Sequence, residues 1–172
     1  YRLGYTTTLK ACIPNSEFFN QHFQFGWLLF QMLQGFAEEL LEIYTHYLGI
    51  DINIINEFFK SPMHRLGLNY YEKGVKLKTK NESEYLMSPH IDHSFLTLII
   101  QDEEGLEVEA SNGEWILIPK LPNAIIVLTG DYIQRITNGR IRAVKHRIVN
   151  KNINRFSIQY KHKPSYATTI TP

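Results

Sequence analysis

Cysteine is almost absent from this sequence: Cys12 is the single thiol in 172 residues. One thiol cannot form an internal disulfide, so the fold must be stabilised by a packed core. A signal segment, with basic residues followed by an apolar run, is also missing from the start of the sequence. These absences favour a reducing, cytoplasmic setting over a secreted one.

Excess charge and long apolar runs are absent as well. The chain has 18 Lys and Arg against 17 Asp and Glu, so no overall field draws it to nucleic acid or to an anionic membrane. The apolar run at 124–128 is far shorter than the roughly 20 residues of a membrane-spanning helix. The balance excludes a nucleic-acid or membrane partner and favours a small-molecule partner, while the oligomeric state stays open.

The chain does have enough apolar residues for a core, since 44% are hydrophobic and 13% aromatic. Residues 24–48 repeat apolar side chains at helical spacing, and Gly49 supplies a stop. Asp51 can cap a second helix that runs to about Phe59, before Pro62. We therefore predict a helical N-terminal segment over 1–62.

After residue 62 the pattern changes to short apolar runs separated by turn residues, which is typical of a β-sandwich or barrel. We expect a mainly β part over 63–172 that forms one structural unit with the helices. Two Asn-Gly pairs, at 112–113 and 138–139, predict tight turns because both residue types tolerate positive φ. About seven strands are expected, in the runs at 65–71, 95–100, 105–110, 114–118, 124–130, 142–149 and 155–162, with a further stretch leading into residue 90.

The candidate metal site begins with His90 and Asp92. If both lie on one strand, they share a face at a Cα separation of about 6.6 Å, close enough to bind one ion. His146, 56 residues later in VKHRIV, is the candidate third ligand. Two imidazoles and one carboxylate suit non-haem Fe(II) and O2 chemistry. The alternative is that the pair lies where a loop enters a strand and that His146 packs at a strand end.

A second polar pair, Arg155 and Ser157, alternates with Phe156 in an expected strand. The guanidinium and the hydroxyl therefore share one face. A planar fork of N–H donors beside a hydroxyl is suited to binding a carboxylate. Tyr160 and His162 follow in the same run, where they either pack in the core or border a pocket.

Together these motifs carry a family resemblance. The chain resembles the 2-oxoglutarate and Fe(II)-dependent dioxygenases of the isopenicillin N synthase-like superfamily from about residue 65 to 164. The segments that carry it are LNYY at 68–71, HID at 90–92, GEWILIPKLPNAIIVLTGD at 113–131, DYIQRITNGRIRAVKHRI at 131–148 and NRFS at 154–157.

The resemblance implies a double-stranded β-helix (jelly roll) whose open end holds Fe(II) through the three candidate ligands. It also implies that the far carboxylate of 2-oxoglutarate meets Arg155 and Ser157, with Tyr71 as a further hydrogen-bond partner and Asn69 on the same strand face. The implied reaction consumes O2 and 2-oxoglutarate, releases succinate and CO2, and hydroxylates, desaturates or cyclises a small organic substrate.

Two alternatives remain beside this oxygenase hypothesis. One is an iron oxidase of the same fold that uses Arg155 and Ser157 to hold a substrate carboxylate instead of 2-oxoglutarate. The other is a catalytically silent jelly-roll binding module. The extended N-terminal region of full-length relatives is missing or vestigial here, as expected for a fragment, a shortened homologue or the ordered part of a longer protein.

Overall fold

The structure, a computed structural model, describes residues 17–74, 85–165 and 169, with only the backbone for 17–23. Helix α1 spans Glu17–Leu48 and helix α2 spans Ile52–Phe58. Both predicted helices are present, although α1 begins seven residues earlier than its apolar pattern indicated. The predicted cap is confirmed, since the Asp51 side chain accepts a hydrogen bond from the Asn53 amide at 2.9 Å. No helix in these ranges is long and apolar enough to cross a bilayer.

Within these described ranges, eight strands form two antiparallel four-stranded sheets. The first sheet has the order β1-β8-β3-β6, and the second has the order β2-β7-β4-β5. A third helix, α3, spans Asp131–Ile136 between β6 and β7. The strands are β1 (Arg65–Tyr71), β2 (Tyr85–His90), β3 (Leu96–Gln101), β4 (Leu106–Glu109), β5 (Trp115–Leu117), β6 (Ile126–Thr129), β7 (His146–Val149) and β8 (Arg155–His162). The expected mainly β architecture is confirmed.

The two Asn-Gly pairs behave differently. Asn138 and Gly139 both have positive φ, as predicted. In the β4–β5 connection only Gly113 does, and its amide donates to the Ala110 carbonyl at 3.0 Å. Asn112 instead uses its side chain to accept from the Glu114 amide at 3.1 Å. The connection is therefore longer than the expected two-residue turn.

Strand β8 separates the apolar core from the polar interior of the barrel. Ile158 and Tyr160 on one face pack in the cluster that joins α1 and α2 to the first sheet. The alternate residues, from Arg155 to Lys161, point to the opposite face and line cavities between the sheets. A second apolar cluster, made by Ile99, Leu106, Leu128 and Ile148, comes from both sheets and closes the other side of that interior. The expected division at residue 62 stays a prediction, since α1 shares a core with the β strands.

Two buried histidines on the helical side of the first sheet should make stability depend on pH. Burial lowers the pKa of His64 to about 4, and burial together with the nearby His64 lowers the pKa of His162 to about 2. Both imidazoles are neutral in the folded state, whereas in the unfolded chain they protonate near pH 6.5. The unfolded state therefore binds more protons below pH 6.5, and stability falls as the pH falls.

We expect each histidine to remove about 2 kcal/mol from the free energy of unfolding between pH 7.5 and pH 5. In the variant His162→Phe, the loss of unfolding free energy between these pH values should be smaller by the contribution of one histidine. Urea titrations at several pH values measure it. His46→Gln, at an exposed position of α1, is the control and should keep the wild-type slope. An unchanged slope in His162→Phe would contradict this assignment.

Candidate active site

The pairing of β2 with β7 places two histidines side by side. His90 lies directly opposite His146 in the antiparallel register, and their ring centroids are 4.3 Å apart. The Nδ1 atom of His90 lies 2.8 Å from the Ser88 carbonyl, and that of His146 lies 3.1 Å from the Val144 carbonyl. A carbonyl can only accept, so Nδ1 carries the proton in both rings and each Nε2 keeps a lone pair for a ligand.

Asp92 lies outside the strand, because β2 ends at His90. The prediction that His90 and Asp92 share one face of a strand is therefore wrong, although their side chains do converge. Backbone hydrogen bonds hold the turn at 91–95 on the start of α3: the Asp131 amide donates to the Asp92 carbonyl at 3.0 Å, and the Gly130 amide donates to the Phe95 carbonyl at 3.0 Å.

Gly130 permits this close approach. A Cβ atom at this position would lie 2.0 Å from the Ser94 carbonyl oxygen. Gly130 also occupies the N-cap position of α3 and makes no side-chain cap. Asp131, the first residue of α3, accepts a hydrogen bond from His93 on its carboxylate at 2.9 Å.

The three candidate ligands converge on one point. One ligand atom from each of His90, Asp92 and His146 lies within 4.8 Å of the other two. The His90 Nε2 atom is 3.6 Å from Asp92 Oδ1, and the His146 Nε2 atom is 3.8 Å from Asp92 Oδ2. His146 is 2% exposed, and its Nε2 has no hydrogen-bond partner among the described residues. Two imidazole nitrogens and one carboxylate, with a buried nitrogen left unpaired, fit a divalent transition metal.

The neighbouring histidine is not part of this group. The side chain of His93 is 76% exposed and pairs with Asp131. Tyr160 and His162 are also excluded from the site, because both are fully buried and hydrogen-bonded to each other at 3.1 Å in the core. These two residues pack rather than border a pocket.

Electrostatics keep Asp92 ionised. Burial alone would raise its pKa, but the contact with His90 and the charge and hydrogen bond of Lys161 hold the pKa well below its usual range. The nearby Asp92 carboxylate raises the pKa of His90, whereas burial lowers the pKa of His146. The site therefore presents a carboxylate and one imidazole that stays neutral, which are the protonation states that a metal requires.

Sequence reasoning missed three side chains that donate to Asp92, of which Gln159 is the most distant at 3.5 Å. The ammonium of Lys161 donates to Oδ1 at 2.5 Å, and the hydroxyl of Thr97 donates to Oδ2 at 2.7 Å. Strand alternation could have found Lys161, since it lies on the same face of β8 as Arg155 and Ser157. No local pattern indicates Thr97, which meets Asp92 through the turn that docks on α3.

The second polar pair lies deeper in the barrel. Arg155 is 2% exposed, and its guanidinium donates to the Ser157 hydroxyl at 3.3 Å, to the Gln101 side-chain oxygen at 3.0 Å and to the Glu103 carbonyl at 3.1 Å. Burial lowers the pKa of Arg155, but an arginine still remains charged. Gly105 has φ +142, and an added Cβ would lie 3.2 Å from Arg155 Cδ. The pair is thus held in a tight, buried setting.

The β1–β8 register brings the remaining candidates to this pair. Asn69 lies opposite Ser157 and Tyr71 lies opposite Arg155, whose guanidinium is 5.3 Å from the Tyr71 ring centroid. These four residues line a cleft of about 20 Å³ that also reaches His146, enough for roughly one water molecule. A larger cavity of about 370 Å³ adjoins it and includes His90 and Asn69. The structure thus brings together all seven residues that the sequence proposed for the site.

Comparison with known proteins identifies the family. The model of the 2OG-Fe(II) oxygenase superfamily matches residues 62–164, which is more than half of the chain. The chain belongs to the 2OG-Fe(II) oxygenase superfamily. The matched range covers all eight strands and all three candidate metal ligands of this superfamily member.

Curated members of the superfamily are about one third identical to the chain. Gibberellin 2-beta-dioxygenase 7 of Arabidopsis thaliana is 35% identical over 146 residues, which is 81% of this chain and 41% of that protein. The 1-aminocyclopropane-1-carboxylate oxidase 5 of the same plant is 33% identical over 149 residues, 79% of this chain and 46% of that protein. The chain therefore spans less than half the length of these two relatives.

A solved structure shares the fold over almost the whole chain. Neurospora crassa T7H in complex with alpha-KG and 5-formyluracil has a TM-score of 0.81 and 25% identity, with 99% of this chain and 58% of that one covered. The superfamily member described here therefore has the expected jelly-roll fold.

Proposed function

We propose that this protein is an oxygenase that binds Fe(II) through His90, Asp92 and His146 and couples the breakdown of 2-oxoglutarate to oxidation of a small organic substrate. The observation that carries the proposal is the buried, unpaired Nε2 of His146, which faces the other two ligands. When bound, iron supplies the O2 chemistry that hydroxylates, desaturates or cyclises the substrate, with release of succinate and CO2. The residues of this chain hold the metal and orient the organic molecules.

We further propose that Arg155, Ser157, Tyr71 and Asn69 bind 2-oxoglutarate. Fe(II) with one carboxylate keeps a net positive charge, and Arg155 adds a second, so a dianion is attracted at both ends of a buried site. Among the described residues, the guanidinium donates to Gln101, Glu103 and Ser157, which leaves part of its five N–H groups for a carboxylate. The Ser157 hydroxyl, which accepts from Arg155, can donate beside it.

The physiological setting is also a proposal. A cytoplasmic location is supported by the single cysteine, and a small-molecule substrate rather than nucleic acid is supported by the nearly balanced charge. The division into an N-terminal helical segment up to residue 62 and a jelly-roll part is supported by the family match that begins at residue 62.

A second candidate is an iron oxidase in which Arg155 and Ser157 hold a substrate carboxylate. The similarity to an aminocyclopropane-carboxylate oxidase favours testing it. A third candidate is a silent jelly-roll binding module that keeps the metal ligands.

Anaerobic titration separates these three functions. We expect Fe(II) protein to develop a visible metal-to-ligand absorption band on addition of 2-oxoglutarate, and to form succinate when O2 is admitted. A band without succinate, with any substrate panel, would indicate the binding module. Retained Fe(II) without a band would indicate the oxidase that does not use 2-oxoglutarate.

A further inference from the structure

Among the described residues, the cavity beside His90 has cations in its wall but no carboxylate. Its volume is about 370 Å³, within the range of small-molecule sites. Strand β1 contributes Arg65, Gly67 and Asn69, and strand β8 contributes Gln159 and Lys161. The remaining lining residues come from β2 and include no acidic side chain. The wall next to the candidate metal site is therefore polar and electropositive.

The two cations occupy directly opposite positions. Arg65 pairs with Lys161 in the β1–β8 register, and both line the same cavity. Like charges at opposite positions of an antiparallel pair destabilise the sheet unless an anion lies between them. The absence of a side chain at Gly67, the next lining residue along β1, leaves room for such an anion.

In the part of the chain that the structure describes, neither cation has a carboxylate of its own once the metal site is filled. Within 17–74 and 85–165 the guanidinium of Arg65 has no ion pair or hydrogen bond. Lys161 pairs with Asp92 Oδ1, but that carboxylate is a candidate metal ligand, and a divalent cation there would repel the ammonium. The cavity thus carries the two positive charges of Arg65 and Lys161. These add to the charges of the metal and Arg155, which attract the co-substrate.

We propose that this cavity selects an organic anion as the primary substrate, with its carboxylate or phosphate group held between Arg65 and Lys161. This inference rests on the proposed oxygenase function and adds the substrate class. Holding the anionic group on β1 and β8 places the rest of the substrate beside His90, and therefore next to the reacting centre. The planar fork of Arg65 and the compact ammonium charge of Lys161 suit either group.

The test uses three probes of similar shape: benzoate, phenyl phosphate and the uncharged benzamide. Each is titrated anaerobically into the Fe(II) and 2-oxoglutarate complex, and binding is measured by calorimetry. We expect at least one anion to bind about tenfold more tightly than benzamide, the effect of one charge-assisted hydrogen bond. The anion that binds more tightly identifies the chemical group.

The decisive variant is Arg65→Met, because Arg65 has no contact with the candidate metal ligands. It should lose the preference for the anion about tenfold while the 2-oxoglutarate titration of the visible band stays unchanged. The control Lys151→Met, at an exposed position, should bind all probes as the wild type does.

The failures are distinguishable. If wild-type protein forms no visible band with 2-oxoglutarate, the co-substrate part of the proposed function fails. If the band forms but benzoate and phenyl phosphate bind no better than benzamide, or Arg65→Met keeps their preference, the anion site is disproved. Weaker 2-oxoglutarate binding in Arg65→Met would also disprove it, since the cation would then serve the co-substrate.

Discussion

Asp92→Ala should lose its bound Fe(II) and all detectable turnover. Asp92 is the one anionic member of the candidate metal site, and it is 3% exposed. A charge pair at about 4 Å with an effective dielectric constant near 20 is worth about 4 kcal/mol, so its loss weakens Fe(II) binding about a thousandfold. Metal analysis after gel filtration and succinate formation measure the two effects.

The control for this substitution is His93→Ala. His93 is the next residue in the sequence and also a potential ligand by type, but its side chain is exposed and bonded to Asp131. The variant should retain Fe(II) and turnover. Iron retained at wild-type affinity by Asp92→Ala would show that the metal is held elsewhere.

Arg155→Ala should keep its iron and lose affinity for 2-oxoglutarate. The substitution removes the buried cation at the inner end of the cleft, leaving a buried carboxylate without its charged partner. We expect a loss of about 3 kcal/mol, or roughly a hundredfold, in 2-oxoglutarate binding. Arg155→Lys should be intermediate because it restores the charge without the planar fork. Titration of the visible band measures the affinity directly.

Arg147→Ala is the matched control, since Arg147 also contacts an aromatic ring and donates to an acceptor, here Glu107 at 2.6 Å. It follows His146 directly on β7, so its side chain lies on the opposite face of the strand. The substitution should leave 2-oxoglutarate binding unchanged. An unaltered titration curve for Arg155→Ala would show that the pocket assignment is wrong.

The sequence predicted the elements of the fold well where a local pattern determines them. Asp51 caps α2 as its residue type indicates. The start of α1 was misplaced because its first residues lie before the recognisable apolar repeat. The β4–β5 connection was also wrong, since Asn112 satisfies the turn with its side chain rather than with positive φ.

The sequence indicated which residues form the candidate site, but not which contacts hold them in place. Alternation and order in the chain indicated His90, Asp92 and His146, yet Asp92 reaches the site from a turn held by α3. The contacts of Lys161 and Thr97 with Asp92 span 69 and 5 residues. Such contacts depend on strand register and turn docking, which no short window of sequence specifies.

One face of β8 packs in the apolar core, and the other face lines the cavity. Ile158 and Tyr160 pack toward the helices, while Gln159 and Lys161 line the cavity beside His90. Substitutions at 159 and 161 therefore leave the helix-facing core untouched. Gln159 and Lys161 also donate to Asp92, so a change of ligand preference at these positions is coupled to the candidate metal site while the scaffold stays the same.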